Sequence, residues 1–106
     1  MGLTVEDLFS GDGFRRARLR QPDSGLILTL TQHEHGSGDS FSELRTGLDH
    51  LAFAVPSVAD VDAFARRFEE YRVEYSERKP TRAGTGAMIT LRDPDNIQLE
   101  VFTPDS

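Results

Sequence analysis

His50 and Glu100 are the residues of this chain whose types and placement invite chemistry. Read by strand alternation, residues 48–55 put Leu48, His50, Ala52 and Ala54 on one face and Asp49, Leu51, Phe53 and Val55 on the other. Residues 97–103 put Gln98, Glu100 and Phe102 on one face and Ile97, Leu99 and Val101 on the other. If the two strands are neighbours and both turn their apolar faces to one helix, an imidazole and a carboxylate converge in a concave cavity on the opposite face. That pair suits Zn²⁺, Fe²⁺, Mn²⁺ or Ni²⁺. Two protein donors hold a metal weakly, so further donors are needed. Met88, Thr90, Arg92 and Phe102 are the candidate substrate-binding residues by the same alternation, with Arg92 placed to meet a ligand anion. Glu100 doubles as the candidate catalytic carboxylate.

Other reactive types read as structure. His33, Glu34 and His35 stand where a strand gives way to the Gly36 loop, and a solvated loop start fixes no ligand geometry. Asp49 is expected to face the helix side or to satisfy backbone donors at the strand start. Tyr71 and Tyr75 read as packing residues. Arg15, Arg16, Arg18 and Arg20 read as the solvated face of a strand, with an anion site as the alternative. The absence of cysteine removes disulfides, thiolate zinc sites and cysteine nucleophiles. No Gly-x-Ser-x-Gly elbow or phosphate loop is present.

The elements that must position these groups follow from pattern. A chain of 106 residues suits one domain. With 37% hydrophobic residues, a few apolar side chains must do most of the packing. A net charge of -6 argues against general attraction to nucleic acid or anionic membranes. No apolar run approaches the ~20 residues of a membrane span. The acidic start MGLTVEDLF has no basic n-region of a secretory signal, and a cytoplasmic protein is expected. Residues 14–20 and 26–33 flank Pro22-Asp23-Ser24-Gly25 and predict a hairpin. Residues 34–47 read as a loop.

From residue 48 the order reads β-α-β-β-β. Pro56 ends a strand over 48–55, and Ser57 with Asp60 resembles a capping box. Val58, Val61, Phe64, Ala65 and Phe68 then recur at helical spacing up to about Tyr71 or Arg72. Strands are expected at 73–77, 87–92 and 97–103, with a loop over 79–86 and a tight turn at Asp93-Pro94-Asp95-Asn96. The closing hairpin and the single helix argue against a ferredoxin-like fold.

GLDHLAF at 47–53 and RDPDNIQLEVF at 92–102 resemble the opening strand and the closing hairpin of the second βαβββ module of vicinal-oxygen-chelate proteins, the glyoxalase/bleomycin resistance/dioxygenase superfamily. The resemblance implies an α+β fold, with a complete second module over 47–103 and a mixed sheet curled around a cavity. Residues 1–34 then resemble a remnant of the first module, an antiparallel hairpin without that module's first strand and helix. It also implies that His50 and Glu100 occupy metal-ligand positions, and that the metal binds adjacent oxygens of a substrate. The first-module ligand positions are not filled: one has no counterpart, and the other aligns with Thr29.

Three readings follow. One is a metal-dependent lyase, isomerase or dioxygenase-type enzyme, in which a homodimer brings His50 and Glu100 of two chains into one site. The second is a metal-free protein that binds a small-molecule drug or similar ligand. The third is a degenerate member without catalysis. Leu26, Leu28 and Leu30, joined by Ala17 and Leu19, form an apolar face with no helix to cover it, and this also predicts self-association.

Overall fold

The computed structural model describes residues 2–81 and 84–104. The chain divides into two compact units, Met1–Asp39 and Ser40–Ser106. The first is a three-stranded antiparallel meander of β1 (Thr4–Gly11), β2 (Phe14–Arg20) and β3 (Ile27–His33), in that order across the sheet. Both of its hairpins turn on a glycine in the left-handed region, Gly13 at φ 81° and Gly25 at φ 75°, where a β-carbon would be strained. An irregularity between Val5 and Asp7 makes Glu6 an extra residue in β1.

The register sets Leu8 beside Ala17 and Ala17 beside Leu30, and Val5 beside Leu19 and Leu19 beside Leu28. These six apolar residues therefore share one face. Leu26 precedes β3. No described residue of this unit is buried.

The second unit carries a mixed sheet in the order β4-β7-β6-β5. Its strands are β4 (His50–Ala54), β5 (Lys79–Pro80), β6 (Ala87–Arg92) and β7 (Gln98–Phe102). β4 runs parallel to β7, and the other pairings are antiparallel. The helix α1 (Val58–Glu70) begins with a complete capping box. Ser57 Oγ accepts the Asp60 amide at 3.2 Å, and Asp60 Oδ2 accepts the Ser57 amide at 3.0 Å. This satisfies two backbone donors that a helix start otherwise leaves bare. The helix stops at Tyr71, and Arg72 turns the chain out at φ 58°.

Val61 and Phe68 of α1 pack over Ala87 and Ile89 of β6 and Val101 of β7, and these are the buried apolar residues among those described. Thr103 is buried beside them, and its Oγ1 accepts the Ala87 amide at 2.9 Å. Phe64 and Tyr75 flank Phe68, with ring centroids 6.2 and 6.1 Å away.

The α+β class and the βαβββ order are as expected. The strands differ in two respects. They form one sheet in each unit, antiparallel in the first and mixed in the second. The strand expected at 73–77 is reduced to a single bridge between Tyr75 and Leu91, and β5 forms instead at Lys79 and Pro80. Pro80 has no amide to donate, and an edge strand is where that is tolerated.

Candidate functional site

The site is built on the face of the second sheet turned away from α1. Ile89 pairs with Val101 and both are buried under the helix. The alternate residues must therefore face the other way. The register arranges them in rows: His50, Gln98 and Arg92; Ala52, Glu100 and Thr90; Ala54, Phe102 and Met88. His50 and Glu100, predicted as partners, are diagonal neighbours, with Nε2 3.8 Å from Oε2. The His50 side chain is 40% exposed and that of Glu100 15%, so the carboxylate sits deeper than the imidazole.

Each of the two is oriented by a further group. Asp49 Oδ1 lies 2.7 Å from His50 Nδ1. This carboxylate fixes which ring nitrogen points outward, as the partners of metal-bound histidines do. The hydrogen bond to Asp49, and then the charge of Glu100, raise the His50 pKa above its ordinary value against a smaller opposing effect of desolvation. Nε2 must lose any proton before it can donate to a cation.

On the other side, Gln98 Nε2 donates to Glu100 Oε1 at 3.0 Å, and Gln98 Oε1 accepts from Arg92 Nη2 at 3.2 Å. Arg92 is itself held by Glu43, with Nη1 3.1 Å from Oε2, and by the Asn96 carbonyl at 3.0 Å. A polar relay thus runs Glu43–Arg92–Gln98–Glu100–His50–Asp49.

Arg92 and Thr90 also line an open cleft of about 800 Å³ together with Tyr75, Ser76 and Gln98. The guanidinium expected to meet a ligand anion is engaged by Glu43. Met88 and Phe102 pair with each other one row beyond Thr90 and Glu100, and do not line the cleft. His33 lies in the first unit, its ring 6.4 Å from that of Phe14. Among the described residues, no group of three or more His, Cys, Asp or Glu side chains is placed to hold a metal.

Sequence reasoning missed Asp49, Gln98 and Glu43. Alternation put Gln98 on the right face, so its role was within reach. Asp49 precedes β4, where alternation no longer governs, and its side chain turns to the adjacent imidazole. Glu43 comes from a loop with no periodic signal.

The sequence profile of the Glyoxalase/Bleomycin resistance protein/Dioxygenase superfamily matches residues 1–101. A glyoxylase/bleomycin resistance protein/dioxygenase domain from Frankia sp. EAN1pec is 32% identical, with a TM-score of 0.84 over 95% of this chain and 77% of that one. The Bacillus subtilis (strain 168) protein YqjT is 36% identical over 67 residues. That match takes in 60% of this chain, and the chain spans about half, 52%, of the length of YqjT. The fosfomycin resistance protein FosX from Listeria monocytogenes shares the fold at 24% identity, with a TM-score of 0.63 over 93% of this chain and 68% of that one. The matching FosX structure is a mutant complexed with Mn(II) and 1S,2S-dihydroxypropylphosphonic acid.

Proposed function

The chain belongs to the glyoxalase/bleomycin resistance protein/dioxygenase superfamily, and from that premise we propose that it acts on a small molecule at a divalent metal held by His50 and Glu100. The observation that carries this is the meeting of His50 Nε2 and Glu100 Oε2 at 3.8 Å, with Nδ1 fixed by Asp49 at 2.7 Å. Ligand atoms about 2.0–2.2 Å from one ion lie roughly 3–4 Å from each other, so the donors fit in type and in separation. The Mn(II) complex of FosX supports a divalent ion in this fold.

A bound metal would supply Lewis-acid polarisation of a substrate oxygen. Asp49 keeps the imidazole in the tautomer that presents Nε2. Gln98 holds one carboxylate oxygen of Glu100 and leaves the other free to bind. Thr90, in the row of Glu100, offers a hydroxyl to orient substrate. The remaining donors come from a second copy of the chain, for which the β4 edge of the sheet is the natural contact.

Metal content per chain, measured with oligomeric mass on one gel-filtration column, tests this. About half an ion per chain in a dimer is expected for a site shared about a twofold axis. His50→Ala should remove the ion without unfolding the chain, and Asp49→Asn should weaken its binding roughly 10- to 100-fold. Unchanged metal content in His50→Ala would dismiss His50 as a ligand.

A second reading is small-molecule binding without a metal. It is favoured by the absence, among the described residues, of a third side chain placed with His50 and Glu100 to hold one ion. Protein that takes up no metal after incubation with Mn²⁺, Fe²⁺, Ni²⁺ and Zn²⁺ would leave this reading in possession of the site.

A further inference from the structure

We infer that the arginine-bearing face of the first unit is a binding site for a small oxyanion, a carboxylate or phosphate group, held by Arg16 and Arg18 beside Thr29 and Thr31. This does not rest on the His50–Glu100 reading. The chain carries a net charge of -6, yet alternation in β2 sets Arg16, Arg18 and Arg20 on one face of one strand. The register adds Thr31 opposite Arg16 and Thr29 opposite Arg18. On the β1 side stand Phe9 opposite Arg16 and Asp7 opposite Arg18.

The three arginines are held differently. Arg20 is neutralised by Glu6, with Nε 2.7 Å from Oε1. The Arg16 guanidinium lies 4.7 Å from the Phe14 ring centroid and 5.5 Å from that of Phe9, and its Nε donates to Thr31 Oγ1 at 3.0 Å. A row of solvated charge needs no fixed geometry, but this guanidinium has one. Its plane is set by two rings and one hydroxyl, and the terminal amino groups keep their donors for a bidentate anion.

Arg18 makes no side-chain hydrogen bond or ion pair among the described residues and is exposed. It lies two positions along β2 from Arg16, roughly 7 Å along the chain. Two long guanidinium side chains can close on one oxyanion across that distance. Asp7 faces Arg18 from β1 and repels an anion, which places the anion on the Thr29 side of the row.

The test is a ¹H–¹⁵N NMR titration of metal-stripped protein with inorganic phosphate and, separately, with acetate at constant ionic strength. Saturable shifts confined to the Arg16 and Arg18 side chains and to the Thr29 and Thr31 region are expected. Whichever probe produces them identifies the group bound. Arg18→Gln should weaken binding about tenfold or more. Arg16→Lys keeps the charge but loses the planar fork, and it should also weaken binding, testing the same point if Arg18→Gln disturbs the sheet. Arg20→Gln should stay within roughly twofold, since that charge is already paired at the surface. Shifts that scatter over every arginine without saturating, or an Arg18→Gln protein that binds as the parent does, would overturn the inference.

Discussion

In the unit Ser40–Ser106 a helix closes one face of the sheet, and Val61 and Val101 have no exposed surface. In the unit Met1–Asp39 the equivalent apolar row stands open, with Leu8 71% and Leu30 56% exposed. Both sheets alternate apolar and polar residues, so the pattern alone does not make a core. A row of leucines stabilises a fold only when something covers it, and a bare antiparallel meander is marginal in water. The second unit can therefore hold a polar relay in a fixed geometry above a packed interior. The first fixes its polar groups one at a time, through rings, hydroxyls and a salt bridge.

The sharpest way to break this contrast is a matched pair of truncations. Ile89, 1% exposed under α1, is predicted to cost about 2–5 kcal/mol when replaced by Ala. Leu30→Ala should cost less than about 1 kcal/mol, because most of its surface already meets water. Denaturant unfolding followed at residue level by NMR would read both. A Leu30→Ala penalty as large as that of Ile89→Ala would mean that the leucine row is covered in solution. If that penalty also grew with protein concentration, the cover would be a second copy of the chain.

The turns sharpen the same comparison at a smaller scale. In the first unit the left-handed positions of the two hairpins are glycines, Gly13 and Gly25. In the second, Arg72 at φ 58° and Asn96 at φ 72° occupy that region with side chains. Asparagine tolerates it, but arginine does not do so freely. Arg72 is held there by the helix end, where its amide donates to the Glu69 carbonyl at 3.1 Å and that of Val73 to the Phe68 carbonyl at 2.8 Å. Arg72→Gly should therefore stabilise the second unit by a net ~0.5–1 kcal/mol, the relief of backbone strain less the added freedom of the unfolded chain. A rise in thermal midpoint checks it; a fall would mean that the Arg72 side chain stabilises the helix end by more than its backbone is strained.

Much of this was legible because period and side-chain direction are local. The helix over Val58–Glu70 and its Ser57–Asp60 cap followed from spacing and one hydroxyl–carboxylate pair. The meeting of His50 with Glu100 followed from alternation once β4 and β7 were taken as neighbours. The misses depend on where the chain travels between elements. How much of residues 73–77 and of Lys79–Pro80 pairs with β6 is set by the path out of Arg72. Asp49 was misplaced by carrying strand alternation one residue past the strand. Glu43 reaches Arg92 across 49 positions of sequence, and nothing in its neighbours announces that.

Glu43 supplies the smallest expected effect. It ties the loop after residue 40 to the turn between β6 and β7, alongside the Phe41 amide on the Asp95 carbonyl at 2.7 Å and Asn96 Nδ2 on the Phe41 carbonyl at 3.1 Å. The hydrogen bond from Arg92 holds the Glu43 carboxyl below its ordinary value of 4.5. A carboxyl depressed by folding stabilises fully above its unfolded pKa, and that stabilisation is lost as pH falls through the lower folded value. Glu43→Gln should therefore lower the thermal midpoint of the second unit slightly at pH 7, by the same amount down to about pH 4.5, and not at all once the parent carboxyl is protonated. The effect is small because both partners are exposed and water screens them. Melting curves of parent and variant across pH 7 to 3 decide it. A difference that does not shrink as pH falls below 4.5 would mean that Glu43 acts by shape and neutral hydrogen bonding rather than by charge. The loop would then be held by contacts that do not depend on pH.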